Sequence, residues 1–209
     1  MNLPNKLSLL RICLIPLFVV AFFLPYTWGA IVSCAIFILA ALTDFLDGYR
    51  ARKYNLVTDL GKLLDPIADK MLVCAALFCL AATNPLQYCF ENVQFWTDFG
   101  YVFFAVTGMV ILARELLISA VRMIAATKGV VLQANMYGKV KTVFQVVSLP
   151  CLLLLYCVRF VATFSSFWTI LACVAIALYS IAVLMTILSG IVYLVQNKYV
   201  FKQETETDK

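Results

Sequence analysis

Apolar residues run along this 209-residue chain in long blocks separated by short polar segments. Six blocks stand out, at about residues 10–25, 29–52, 62–82, 99–127, 140–158 and 166–195. A helix crosses the hydrocarbon core of a bilayer with about 20 mostly apolar residues, so each block reads as a membrane-spanning helix. Several blocks exceed one crossing, and the second and fourth are expected to continue past the lipid. No small-residue cleavage site follows the first block, so it is expected to be retained. The expected fold is all-α: a polytopic membrane protein with six transmembrane helices in one domain, residues 1–201, followed by a polar tail, 202–209.

Composition supports lipid as the solvent. Apolar residues make up 64% of the chain and charged residues 13%, against roughly a quarter charged in soluble domains. The chain has no histidine, which removes Ser/His/Asp and Cys/His chemistry and histidine-ligated zinc. Acid–base work therefore falls to carboxylates, lysines, cysteines or tyrosines. The eight cysteines form no C-x-x-C pair and nearly all lie in apolar blocks, where a thiol acts as a small apolar filler. Cys89, in a connecting segment, is the open case.

Basic residues set an orientation. With the N-terminus inside, the outer loops fall near 25–28, 84–98 and 159–165, and of sixteen Lys and Arg residues only Arg159 lies outside. That asymmetry follows the positive-inside rule and places both termini in the cytoplasm. The net charge of +5 then suits anionic lipids and phosphates as partners, with no nucleic acid implied. Trp28, Trp96 and Trp168 flank the outer loops as an interfacial belt.

Five of the eleven acidic residues crowd between positions 44 and 69, in TDFLDGYRARKYNLVTDLGKLLDPIADK. Ionisable residues in a membrane block are costly and mark function by default. Asp44 and Asp47 are three apart and share a helix face with Gly48 and Ala51. Asp65 and Asp69 are four apart on the next helix, one turn after Gly61. A short link, roughly Lys53 to Leu60, makes the two helices antiparallel neighbours, so four carboxylates converge at their inner end. Four like charges in a poorly solvated site bind protons or cations. All-oxygen ligation suits hard ions such as Mg²⁺ or Mn²⁺, and a pair of ions suits phosphoryl chemistry. The competing account is a set of structural ion pairs with neighbouring arginines and lysines. Asp59 is expected to be a solvated loop residue.

The pattern D-x2-D-G-x2-A-R-x8-G-x3-D-x3-D, with Asp44, Asp47, Gly48, Ala51, Arg52, Gly61, Asp65 and Asp69 at its fixed positions, resembles the signature of the CDP-alcohol phosphotransferases. LPNKLSLLR, DPIADK, ARELLISAVR and GKVKTVFQ resemble the bacterial branch that uses glycerol 3-phosphate as acceptor. Ser8 stands where threonine is expected, and YGKVK lacks a tryptophan often found before that glycine. The resemblance implies six transmembrane helices around a polar cavity open to the cytoplasm, usually as a homodimer, in the bacterial inner membrane. It implies transfer of a phosphatidyl group from CDP-diacylglycerol to sn-glycerol 3-phosphate, with release of CMP.

The resemblance also implies residue roles. All four aspartates would ligate two Mg²⁺ or Mn²⁺ ions, and Asp69 would in addition take the acceptor's hydroxyl proton. Gly48, Arg52, Thr58 and the segment Asn5, Lys6, Leu7 and Ser8 would contact the CDP-lipid, although Asn5 and Ser8 equally suit capping of the first helix. The acceptor phosphate needs its own cations. Arg114 and Arg122, eight apart in an apolar block, are candidates, and Glu115 is placed to orient one of them. Lys139 and Lys141 are further candidates, and they also suit anchoring at the inner membrane face. Two alternatives remain open: another acceptor (inositol phosphate, serine or phosphatidylglycerol) and a cation transporter using the aspartates as its ion path.

Overall fold

The computed structural model describes residues 3–54, 59–90, 93–127, 136–160 and 166–197; at residues 3–8, 44–54, 59–66, 69, 127, 136, 137 and 139 the description is of the backbone alone. The chain forms α1 (Leu3–Phe23), α2 (Thr27–Tyr54), α3 (Asp59–Thr83), α4 (Gln94–Thr127), α5 (Met136–Leu155) and α6 (Ser166–Gln196). Short 3-10 turns occupy Pro85–Tyr88 and Tyr156–Phe160, and the described residues contain no strand. Among the described residues, three stretches are long and apolar enough to cross a membrane: Gln94–Ala126, Val140–Phe160 and Ser166–Gln196. The first three helices contribute the apolar segments Leu9–Phe23, Thr27–Thr43 and Lys70–Thr83.

On α6, small and polar residues and two tyrosines line the helix contacts, while Leu, Ile and Val face outward. On α6 the buried positions are Ala172, Ala175, Tyr179, Ala182, Thr186, Ser189, Gly190 and Tyr193, a single stripe at helical spacing. Leu184, Leu188, Ile191 and Val195 on the same helix are exposed. Between helices in lipid the gain comes from close packing rather than from expelling water, so small residues at the contact and Leu or Ile outside are the expected division. Hydroxyls on the spans satisfy themselves on their own helix: Thr83, Thr107 and Thr186 donate to the carbonyls four residues earlier, so these three are not lone donors in hydrocarbon.

Aromatic rings fill the centre. Phe18, Phe22, Phe37, Phe104 and Tyr179 are fully buried. The ring of Tyr156, in the turn after α5, stacks on Phe22 of α1 at 4.8 Å. The Tyr179 hydroxyl shares a 2.8 Å hydrogen bond with Thr107 and so ties α6 to α4.

Two expectations change at helix ends. α4 begins at Gln94, so Asp98, expected in a loop, is helical. The polar Gln94–Asp98 stretch is held in the helix by Phe95, Trp96 and Phe99, which pack on one another and on Phe90 and Phe103. Asp59, expected in a loop, is the first residue of α3. The α3–α4 connection is anchored by Asn84 in the left-handed region (φ 41°), whose amide donates to the Trp96 carbonyl at 2.6 Å. Cys89 in this connection is buried. That burial, with the Cys173 thiol nearby as a second cause, pushes its pKa up to about 12.

Candidate active site

The four aspartates sit on two helices that follow one another. Asp44 and Asp47 lie in the last three turns of α2, and Asp65 and Asp69 in the first three turns of α3, with residues 55–58 between. Gly48 and Arg52 belong to the same end of α2, and Asn5, Lys6, Leu7 and Ser8 to the start of α1. The side chains of all these residues lie outside the described ones, as does Thr58 altogether. The backbone brings the three helices together: α1 packs against both α2 and α3, and α2 against α3. Arg11, one turn beyond Ser8, is 1% exposed, so a cation is built into the interior of α1.

The basic residues of α4 and α5 form a second group, a basic wall in which Arg114 and Lys141 share Glu115. Arg114 of α4 turns toward α6: its Nη2 donates to Ser189 Oγ at 2.8 Å, and Ser189 Oγ donates to the Thr186 carbonyl at 3.1 Å. Gly190 makes room for it, because a Cβ there would stand 3.1 Å from Arg114 Cγ. Two turns on, Arg122 donates from Nε to the Tyr193 hydroxyl at 3.2 Å and lies 5.5 Å from the centre of that ring. Both arginines therefore rest on α6. Arg114 is nearly enclosed, whereas Arg122 is exposed at its outer edge.

Lys141 is not at a surface. It is 3% exposed and forms an ion pair and hydrogen bond with Glu115, whose Oε1 also lies 3.8 Å from Arg114 Nη1. One carboxylate thus compensates two cations in a medium where an unpaired charge is expensive. Lys139 belongs to the first turn of α5, with its side chain outside the described residues. Lys70, the residue after Asp69, donates to Ser119 Oγ, and Ser119 donates to the Glu115 carbonyl. This chain joins the aspartate-bearing α3 to the basic wall on α4.

Lys70, Ser119, Ser189, Gly190 and Tyr193 were not singled out from the sequence as site residues. Ser189, Gly190 and Tyr193 had a signal, since they continue the small and polar stripe of α6. Lys70 and Ser119 carried none, because a lysine after an aspartate is equally well a solvated anchor. Among the described residues no group of three or more Cys, Asp or Glu residues could hold a metal ion. The donor set on α2 and α3 is nevertheless all-carboxylate, at i,i+3 and i,i+4 spacing on sequential helices, which is the chemistry hard divalent ions take.

Comparison with known proteins turns on the whole chain. A family model described as CDP-alcohol phosphatidyltransferase matches residues 1–196. The chain belongs to that family. Its relatives include the CDP-diacylglycerol–glycerol-3-phosphate 3-phosphatidyltransferase of Bacillus subtilis (strain 168), 39% identical over 165 residues, covering 73% of this chain and 77% of the relative. The protein of the same name in Salmonella typhimurium is 39% identical over 154 residues, covering 73% and 76%. That of Rickettsia felis is 38% identical over 153 residues, covering 73% and 75%.

Proposed function

We propose that this protein transfers a phosphatidyl group from CDP-diacylglycerol to sn-glycerol 3-phosphate, giving phosphatidylglycerophosphate and CMP, in the inner membrane of a bacterium. The observation that carries the acceptor is the basic wall. Arg114, Arg122 and Lys141 are brought together on α4 and α5, backed by α6, at a distance in sequence from the aspartates. Among the described residues Glu115 is the one carboxylate seen beside Arg114 and Lys141, and a phosphate monoester adds the negative charge that such a group of cations takes as charge-assisted donors, which serine does not supply. The names of the relatives point to the same acceptor.

Asp44, Asp47, Asp65 and Asp69 would hold the divalent ions, Mg²⁺ or Mn²⁺ and two in number. Ions bound there would neutralise the diphosphate oxygens and stabilise the departing CMP phosphate. Asp69 takes the proton from the 1-hydroxyl of glycerol 3-phosphate as that oxygen attacks the lipid-bearing phosphorus. Gly48 allows the nucleotide to approach α2, and Arg52, Thr58 and Asn5 to Ser8 hold the CDP group. Arg114, Arg122, Lys139 and Lys141 hold the acceptor phosphate, so that the two reactants meet in one orientation.

An apolar groove of about 480 Å³ between α2 and α5 supports a lipid donor. Phe37, Ala41, Leu42, Val143, Val146 and Pro150 are among its lining residues. Its inner end at Leu42 is two residues from Asp44, so an acyl chain in the groove delivers its diphosphate to the aspartates. The polar cavity around the aspartates would open to the cytoplasm, with both termini on that side, and the working unit would be a homodimer.

The direct test offers purified protein CDP-diacylglycerol with glycerol 3-phosphate, inositol phosphate, serine or phosphatidylglycerol, and identifies the lipid product by mass. Phosphatidylglycerophosphate formed from glycerol 3-phosphate alone is the expected result. A product from another acceptor and none from glycerol 3-phosphate would overturn the assignment.

A further inference from the structure

Gln145 of α5 is 4% exposed, and its side-chain Nε2 has no hydrogen-bond partner. A buried primary amide with unused N–H donors is costly in the interior of a membrane protein and calls for an explanation. The helix has already turned its other polar groups to use: Lys141 pairs with Glu115, and Ser148 Oγ donates to the Gln145 carbonyl at 3.3 Å.

The position of Gln145 follows from spacing. Gly138, Lys141, Gln145 and Ser148 recur at intervals of three, four and three, so they share one face of α5. The first two fix where that face looks: a Cβ on Gly138 would stand 3.8 Å from Arg114 Nη2, and Lys141 meets Glu115. Val140, Val143, Val146 and Val147, on the other faces, are exposed. Gln145 therefore continues the inner wall one turn beyond Lys141, about 6 Å along the helix axis. Arg114, whose Nη2 the Gly138 end of this face meets, also has its Nε buried without a partner. One idle donor, neutral, thus belongs to this face, and another, cationic, to an arginine assigned to the acceptor.

We propose that Gln145 is a specificity residue for the acceptor, donating its amide N–H to the 2-hydroxyl of glycerol 3-phosphate. The inference rests on the proposed reaction. In that acceptor the phosphate is taken by cations and the 1-hydroxyl is the nucleophile. The 2-hydroxyl is the remaining polar group; it is neutral, and it lies between the other two. A neutral carboxamide one turn from the phosphate-binding lysine matches it in charge and in reach. A site that hydrogen-bonds a hydroxyl in this way discriminates against an analogue lacking it, because the buried donor is left idle.

The test compares two acceptors, glycerol 3-phosphate and 3-hydroxypropyl phosphate, which differ by that hydroxyl. The variants are Gln145→Leu and Gln145→Asn, measured in the full-length protein. Wild type is expected to prefer glycerol 3-phosphate by about 10- to 100-fold in kcat/KM, the cost of leaving one buried donor idle. Gln145→Leu is expected to lose that preference by losing activity on glycerol 3-phosphate, while its activity on 3-hydroxypropyl phosphate and its KM for CDP-diacylglycerol stay at wild-type values. Gln145→Asn, with the same group on a shorter stem, is expected to fall between. Equal losses on both acceptors in both variants, or no loss on either, overturns the role of Gln145 and leaves the reaction standing. Absence of transfer by wild type to both acceptors overturns the reaction itself, and the role of Gln145 with it.

Discussion

Lys141 on α5 forms an ion pair with Glu115 on α4, and the lysine is 3% exposed while the glutamate is 26% exposed. The same carboxylate faces Arg114. Glu115 is thus the counter-charge that lets two cations stand ready in an apolar span without paying their full desolvation cost.

Removing one member of this pair leaves a buried charge alone. Glu115→Gln is expected to destabilise the protein by about 3 kcal/mol, the lower end of the range for a broken buried pair, because Glu115 keeps some water. The double variant Glu115→Gln, Lys141→Met removes both charges and is expected to recover much of that loss. Thermal unfolding of the two single variants and the double variant measures the coupling. Additive losses would mean that the pair carries no coupling energy.

The arginines separate acceptor binding from donor binding. Arg114→Gln and Arg122→Gln are each expected to raise KM for glycerol 3-phosphate by about 10- to 100-fold, the worth of a charge-assisted hydrogen bond, with KM for CDP-diacylglycerol unchanged. The effect of Arg114→Gln should be the larger, since that side chain is the more enclosed. Initial rates with each substrate varied in turn check this. A rise in KM for the donor lipid instead would move these residues to the nucleotide site.

Gly100 marks a contact on the far side of the molecule. A Cβ there would fall 2.2 Å from Asn84 Oδ1, and Asn84 is fully buried and held by its bond to the Trp96 carbonyl. Gly100→Ala is expected to cost about 1–3 kcal/mol by overpacking, while the activity of folded molecules stays at wild-type values. A melting curve together with kcat per folded molecule tests both halves.

Cys89 reports the integrity of the same connection. Its thiol titrates at about 12 rather than the ordinary 9.0 because burial disfavours the thiolate. The folded pKa lies above the unfolded one, so this group's contribution to stability is fully present below pH 9 and is lost as pH rises toward 12. A variant retaining Cys89 as its sole cysteine is expected to resist maleimide at pH 8 until it is unfolded. Rapid labelling of the folded protein at that pH would show that the connection is open.

The helices were legible in the sequence because each is a long apolar block, and the start and end of α6 agree with the block to within a residue. The beginning of α4 was not, because Gln94 to Asp98 looks polar and is held in the helix by rings that pack only in three dimensions. The placement of Asp44, Asp47, Asp65 and Asp69 on sequential helix ends followed from spacing alone. What spacing could not give is pairing between helices. Nothing local marks Ser189 as the partner of Arg114 or Tyr193 as that of Arg122, since those residues are more than 70 positions apart. Lys141 shows the same gap: its sequence context suits a surface anchor, and only the folded structure turns it inward to Glu115, 26 positions away.

The central claim is that the four aspartates bind divalent ions and that Asp69 deprotonates the acceptor. CMP release from CDP-diacylglycerol with glycerol 3-phosphate, measured with and without Mg²⁺ on wild type and Asp69→Asn, tests it most directly. The account predicts release by wild type that requires both Mg²⁺ and the acceptor, and a loss of at least about 100-fold in Asp69→Asn, in line with the loss of a general base. Full activity in Asp69→Asn, or undiminished release by wild type without any divalent ion, would contradict it.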